Sequence, residues 1–535
     1  MTAVSLRSTL RIAWAIGLLA AYSFDAATPA RGQTGWAGYG GNMAHTAKAP
    51  ASLQVTNHIR WSTPVDQAPQ YSGGELLIHY GCPAVTAGNT VLVPVKTQAA
   101  GSFQVEAHRG FNGFKMWTLT SNYVLPPHDW TPSFGIVQTA NGPLAMPDIG
   151  GQVTFRDNVD RPTGNAYSHA FYGTHASSFD GSVFISTPIT SDESGNIYFG
   201  FVTNGSAPAP LAGVNGGLAR IDANGNGSWV NAAKIVAGDT LGITKVAFNC
   251  APAISNDGSV VYVAINNGNG SSSVYGAGYL VGLNSTTLAT KYAVKLFDYQ
   301  NAGNLAIVTD DSTASPCVGP DGDVYFGVLE SPFYSNHLRG WMLHFDSTLT
   351  TPKIAGGFGW DDTASIVPAA ALGANYTGGS SYLILTKYNN YVEGNGDGYN
   401  RVAILDPNAA ETVTVAGTKP VTNTNVMKEV ISLPGQTIDT RFNNPAANPN
   451  PYPNAVREWC VNSVVVDGAN KCAAVNSEDG SLYRWDFTTN STTAKLVFNN
   501  GVGEAYTPTF VGPDGQVYAI NNAVLFACEA AQRPR

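Results

Sequence analysis

Short runs in which apolar and polar residues alternate recur along the whole chain, in pairs joined by tight turns. Four segments show it best: 187–201 (TPITSDESGNIYFGF), 251–265 (APAISNDGSVVYVAI), 315–329 (SPCVGPDGDVYFGVL) and 507–521 (TPTFVGPDGQVYAIN). Each reads small residue, proline, alternating apolar positions, a D-G or S-G turn, then a second alternating run containing tyrosine. Alternation with period two marks a half-buried strand, and Asp-Gly between two such runs marks a hairpin. Weaker copies lie at 82–95, 131–146, 367–388 and 462–486. With Pro83, Pro132, Pro188, Pro252, Pro316, Pro368, Ser463 and Pro508 as markers, most intervals are 45 to 64 residues. The one long gap, Pro368 to Ser463, holds a Gly/Asn-rich insertion near 389–400 and a Pro/Asn-rich one near 436–453.

After most hairpins comes an apolar residue, then Asp or Asn, then a turn: Ile221-Asp222, Leu283-Asn284, Phe345-Asp346, Leu405-Asp406 and Trp485-Asp486. A fourth apolar run follows, as at Lys295-Leu296-Phe297 or Val430-Ile431-Ser432-Leu433. Four strands per repeat is the content of a propeller blade. The reading is an all-β chain forming a single propeller of about eight four-stranded antiparallel blades, with seven as the alternative. The last repeat ends soon after its third strand, and an orphan strand near 57–62 (NHIRWS) has the pattern of a fourth. That N-terminal strand is expected to complete the last blade and remove the open edge.

The P-x-apolar…DGxVY hairpins, the third strands ending in Asp, and the opening Trp36-Ala-Gly-Tyr-Gly-Gly-Asn42…Ile59-Arg-Trp61 stretch resemble the PQQ-like repeat propellers. That superfamily includes the quinoprotein alcohol dehydrogenases and non-catalytic outer-membrane assembly lipoproteins. The resemblance covers nearly all of the mature chain and implies the fold more than an activity. Three family features are missing: an adjacent Cys-Cys pair against the quinone, the Thr-Gly-x-x-x-Trp docking pattern, and an acylated cysteine after the leader. PQQ is therefore not supported by motifs.

The first residues read as an address. Arg7 and Arg11 precede the apolar run 12–22 and then small residues, the pattern of a secretory signal peptide. The expected division is 1–32 signal peptide and 33–535 propeller domain. No segment is long and apolar enough to span a bilayer, and the mature chain is expected in the periplasm or secreted, as a monomer. Only 12% of residues are charged, and the net charge is −9. Without clustered Lys and Arg, nucleic acid is excluded as a partner. Six widely spaced cysteines (Cys82, Cys250, Cys317, Cys460, Cys472, Cys528) suit buried small residues, or bridges whose pairing the sequence does not choose.

Candidate chemistry is sparse. Asp222-Ala-Asn224-Gly-Asn226-Gly227 matches the start of a calcium loop, but the expected Glu is Ala233 and blade turns occur at the same place. Calcium binding and a plain Asn/Gly turn are the two readings. His108, His128, His169 and His175 surround an atypical stretch holding Asp129, Trp130, Arg156 and Asp157. If these loops converge on the channel mouth, His128, Asp129, Trp130, Arg156, Asp157, His169 and His175 are its ligand contacts. Neither G-x-S-x-G, a Walker loop nor HExxH is present, and no catalytic residue is assigned; a glycosidase-like pair of acids stays open. The 24 tyrosines and 10 tryptophans suit either blade packing or carbohydrate and peptide contact. The leading expectation is a propeller that binds a small molecule, glycan or protein through its channel mouth and loops. The alternative is a periplasmic enzyme, either a PQQ- or metal-dependent oxidoreductase or a hydrolase/lyase, and a third reading is envelope assembly through the propeller's edges.

Overall fold

The hairpins do close into a ring. The computed structural model describes residues 35–530, apart from 73–74, 77, 79, 127–133, 269–275, 447–451, 460 and 502–508. The expected leader, His128, Asp129, Trp130 and Cys460 lie outside the described residues. Eight antiparallel blades follow one another along the chain. Six carry four strands in sequence order from the axis outward, with the innermost strand interrupted in the third and fourth blades, and the eighth takes its outer strand from the other end of the chain. The second blade, for example, runs Val137–Gln138, Leu144–Pro147, Gln152–Arg156 and Ala166–Ala170. Among the described residues no helix is long and apolar enough to cross a membrane.

Closure follows the expected route. The eighth blade takes Phe510–Val511, Val517–Asn521 and Val524–Glu529 from the end of the chain. His58–Pro64 pairs antiparallel with Val524–Glu529 as its outer strand. Trp61 then ties this blade to the first: its indole N–H donates to Gly110 O at 2.7 Å and its ring stacks on His108.

The tyrosine that follows each turn has a structural purpose. Tyr198, Tyr262 and Tyr325 are fully buried, and each hydroxyl reaches the next blade. Tyr198 donates to Ser285 O at 2.9 Å, Tyr262 to Ser347 O at 2.6 Å, and Tyr325 meets Tyr382 Oη at 2.6 Å. A buried phenol needs a partner for its O–H, so the repeat staples neighbouring blades while it packs them.

The fifth blade departs from the pattern. Cys317–Val318, Val324–Val328 and Trp341–Phe345 are its three strands, and its outer position is held only by the bridges Met342–Gly356 and Phe345–Pro352. The sixth blade compensates. Its last strands, Arg401–Val415 and Val421–Pro434, form an over-long ribbon, and Met427 N–H donates to Ala355 O at 2.9 Å. The ribbon thereby covers the edge that the short blade leaves open.

The axis is filled from within. Residues 36–54 thread across the channel and touch all eight blades. Trp36 exchanges backbone hydrogen bonds with Val85, and the carbonyls of Ala37, Met43, Ala44, Thr46 and Ala47 accept from Gln138, Ile254, Val318, Ile366 and Val466. Gln54 N–H donates to Gly515 O, and His45 reaches Pro316 O at 2.9 Å and Thr190 Oγ1 at 3.4 Å. Tyr39 stands at the centre, its hydroxyl 2.5 to 2.9 Å from Asn462 Oδ1, Thr363 Oγ1 and Thr313 O. His45 and Ala47 hold left-handed backbone, with φ of 57° and 51°, which the surrounding ring must impose.

The five described cysteines are free and buried. Burial pushes the thiols of Cys82 and Cys250 up to about 12, so they behave as small apolar residues near the axis.

Candidate ligand sites at the outer cleft and the channel mouth

An open cleft of about 480 Å³ separates the second and third blades. Ser168, His169, Thr174 and His175 line it from the outer strand of the second blade and the chain after it; Gly225 and Asn226 come from the turn after the third strand of the third blade. Two groups of sequence candidates therefore meet here, His169 and His175 with the Asp222–Asn226 turn. Gly225 makes the approach feasible: its φ is 87°, and a Cβ there would lie 2.4 Å from His169 Cε1. A smaller extension passes Tyr167 and Asp222. Tyr167 is 43% exposed and stacks on Phe155 at 5.5 Å, which presents an aromatic face beside the polar lining.

The hydrogen-bond network fixes what this cleft offers. Asp148 Oδ2 accepts from Thr154 Oγ1 at 2.5 Å, which uses the one hydroxyl hydrogen of Thr154. Ser168 Oγ, 2.7 Å from Thr154 Oγ1, must then donate to it and keeps only lone pairs free. Asp180 Oδ1 lies 2.7 Å from His175 Nε2; a carboxylate only accepts, so Nε2 carries a hydrogen and donates it, which fixes the ring orientation. The Asn226 amide nitrogen donates to both oxygens of the Asp222 carboxylate, at 3.0 and 3.2 Å, and its Oδ1 remains an acceptor. Ser168, His175 and Asn226 all line the one cleft.

Asp222 caps its own turn: Oδ1 accepts the N–H groups of Asn224 and Asn226 at 2.9 and 2.8 Å. Burial raises its pKa, but these bonds and the Asn226 amide outweigh that and hold it below the usual carboxylate range. Asp346 and Asp486 close the equivalent turns of other blades in the same way.

Arg156 and Asp157 are not brought to the cleft. The Arg156 guanidinium lies 3.9 Å over the Trp117 ring and donates to the carbonyls of Asp157, Asn158, Arg161 and Pro162. Asp157 accepts from Asn165 N–H at 2.6 Å. Both hold the loop between the third and outer strands of the second blade. His169 and His175 likewise sit on the rim of that blade, away from the axis, because the strand that carries or precedes them is its outermost.

At the channel mouth, where second strands end and innermost strands begin, charged groups are buried in pairs. Lys96 Nζ meets both Asp66 carboxylate oxygens at 2.9 and 3.1 Å, and Lys245 Nζ meets those of Asp310 at 2.7 and 2.8 Å. Burial pulls the Lys245 pKa down while Asp310 opposes it. Sequence reasoning singled out none of these, nor the acids between the sixth and seventh blades. Glu458 follows the 436–453 insertion, and Glu478 follows the strand Cys472–Asn476. Burial and each other's proximity raise the pKa of Glu458; burial raises that of Glu478, with Arg441 and Arg457 opposing. Arg441 and Arg457 each lie 3.7 Å from Glu478.

No protein-family model and no curated protein matches the sequence. Solved structures do match in shape. A europium-containing methanol dehydrogenase aligns with 91% of this chain and 89% of its own at TM-score 0.56 and 13% identity. A quinohemoprotein alcohol dehydrogenase from Comamonas testosteroni aligns over 95% and 82% at TM-score 0.49 and 12% identity. BamB from Moraxella catarrhalis aligns over 89% and 100% at TM-score 0.44 and 10% identity. Tyr39 and its hydrogen-bond partners Thr313, Thr363 and Asn462 are buried in the interior of the ring. Among the described residues, moreover, no three His, Cys, Asp or Glu side chains converge as metal ligands. At these identities the likeness is one of fold, and the chain has the eight-bladed PQQ-like propeller fold.

Proposed function

We propose that the protein is an extracytoplasmic binding propeller whose ligand is a glycan held in the cleft between the second and third blades. One observation carries the reading: Ser168 Oγ and Asn226 Oδ1, on facing sides of the cleft, are acceptors by the logic of their partners, and His175 lies beside them. A ligand rich in O–H donors complements them, and the exposed Tyr167 ring beside them suits stacking on the apolar face of a sugar. The leader-like first 32 residues support a place outside the cytoplasm. The test is a glycan array probed with labelled protein. The proposal expects retention of at least one oligosaccharide, lost in Ser168→Ala and Asn226→Ala proteins of unchanged melting temperature; equal retention by the variants, or none by the parent, defeats it.

A second reading, a hydrolase at the channel mouth, is favoured by the buried acids Glu458 and Glu478 alone. It expects turnover of chromogenic glycosides or esters that Glu478→Gln abolishes.

A further inference from the structure

A second site lies on the opposite side of the ring, between the fifth and sixth blades. A cavity of about 190 Å³ is bounded by Arg339, Tyr388, Asp397, Tyr399 and Arg401 and by the ribbon backbone at Val413–Ala416. Four separate segments build it: the loop before Trp341–Phe345, the end of Tyr382–Lys387, the 389–400 insertion, and the over-long ribbon of the sixth blade. His337 secures the lid by reaching Asn390 Oδ1 at 2.8 Å and Lys419 O at 2.7 Å, and Thr418 N–H donates to Asn395 O at 2.9 Å. The insertion and the ribbon together wall this space.

Its chemistry is cationic at the core. Arg339 is 1% exposed and donates to carbonyls: Nε to Gly357 O at 3.0 Å, and Nη1 to Asn389 O and Tyr388 O. Among the described residues, buried Nη2 has no acceptor, and neither has buried Nε of Arg401. The two guanidinium groups lie 4.3 and 4.9 Å from the Tyr388 ring centroid. The nearby acids are already engaged: Glu429 holds Arg401 Nη2 at 2.9 Å, and Asp397 Oδ1 accepts from Asn390 Nδ2 at 2.7 Å and Tyr399 N–H at 2.9 Å. Two buried donor groups on positive side chains thus lack acceptors, a costly arrangement unless an anion completes it.

We propose that this cavity binds a single oxyanion group, a carboxylate, sulfate or phosphate, carried on a body of monosaccharide size. Arg339 Nη2 and Arg401 Nε are its donors, and Tyr388 and Tyr399 are its walls. The proposal stands apart from the glycan reading, since none of these residues lines the other cleft.

The test is calorimetric titration of the full chain at low salt with glucuronate, glucose 6-sulfate and glucose 6-phosphate, and with glucose as the neutral control. Saturable binding of at least one anion is expected, with no heat from glucose. Arg401→Gln should weaken it at least tenfold, and Tyr399→Ala on the rim should weaken it without lowering the melting temperature. Should Arg339→Gln fail to fold, these two variants decide the matter alone. Equal binding of glucose and the anions, anion binding unchanged in both variants, or no binding by the parent would each overturn the proposal. Loss of array retention in the Ser168 and Asn226 variants does not touch this titration, so the two sites fail separately.

Discussion

Replacing His45 by Gln should remove a defined share of the protein's acid sensitivity. The ring is fully buried between the threading segment and the blades, and burial lowers its pKa from 6.5 to about 4, opposed by the hydrogen bond the ring donates to Pro316 O. Above pH 6.5 the imidazole is neutral in folded and unfolded chains alike, and pH does not act through it. Between 6.5 and 4 the unfolded chain takes up a proton that the folded chain refuses, so stability falls with acid. At about 1.4 kcal/mol per pH unit the interval corresponds to about 3 kcal/mol. Glu458, Glu478 and Asp362 have raised pKa values and act in the opposite sense, gaining stability as pH falls. They are common to both proteins and cancel in the difference. The assay is denaturant unfolding followed by tryptophan fluorescence at intervals from pH 7.5 to 4.5, for the parent and His45→Gln. The parent's advantage over the variant should shrink by most of that amount on acidification. A difference constant to within about 0.5 kcal/mol would refute the assignment, given the error of linear extrapolation.

Two further outcomes follow from the same contacts. Trp61→Ala in the closing strand should cost about 1.5–3 kcal/mol, and calorimetry should show one transition at lower temperature; a separate early transition confined to the eighth blade would mean that the ring does not depend on this strand. Gly225→Ala places a Cβ against His169 at left-handed φ and should cost about 1–3 kcal/mol; thermal unfolding should show the loss together with lost glycan retention, and retention at parental strength would separate the turn from the cleft.

Much of the fold was legible because blades are local. A hairpin with an Asp-Gly turn and a tyrosine announces itself within fifteen residues, and the missing fourth strand at the C-terminal end pointed to 57–62 as its replacement. The channel filling was not legible. Residues 36–47 are rich in glycine and lack periodicity, and their conformation is set by contacts to blades hundreds of residues away, including left-handed His45 and Ala47. His169, His175 and the Asp222 turn were each visible as unusual, but their meeting depends on how one blade's third-strand turn packs against the outer strand of the blade before it. Regular strand order gave a signal for this that residue clustering alone missed: 166–170 is a fourth strand and so belongs to the rim. Arg156 looked like a ligand contact because it is a lone cation among loops, whereas four carbonyls and the Trp117 face consume it. Glu458 and Glu478 carry no local pattern, since one follows an insertion and the other a strand end.

Hydrogen exchange of the full chain, with and without the oligosaccharide retained on the array, tests where the ligand sits. The cleft account expects slowed exchange at 167–176 and 222–228 and no change at the channel mouth. Slowed exchange at 457–479 and 389–400, with the cleft unaffected, would contradict it.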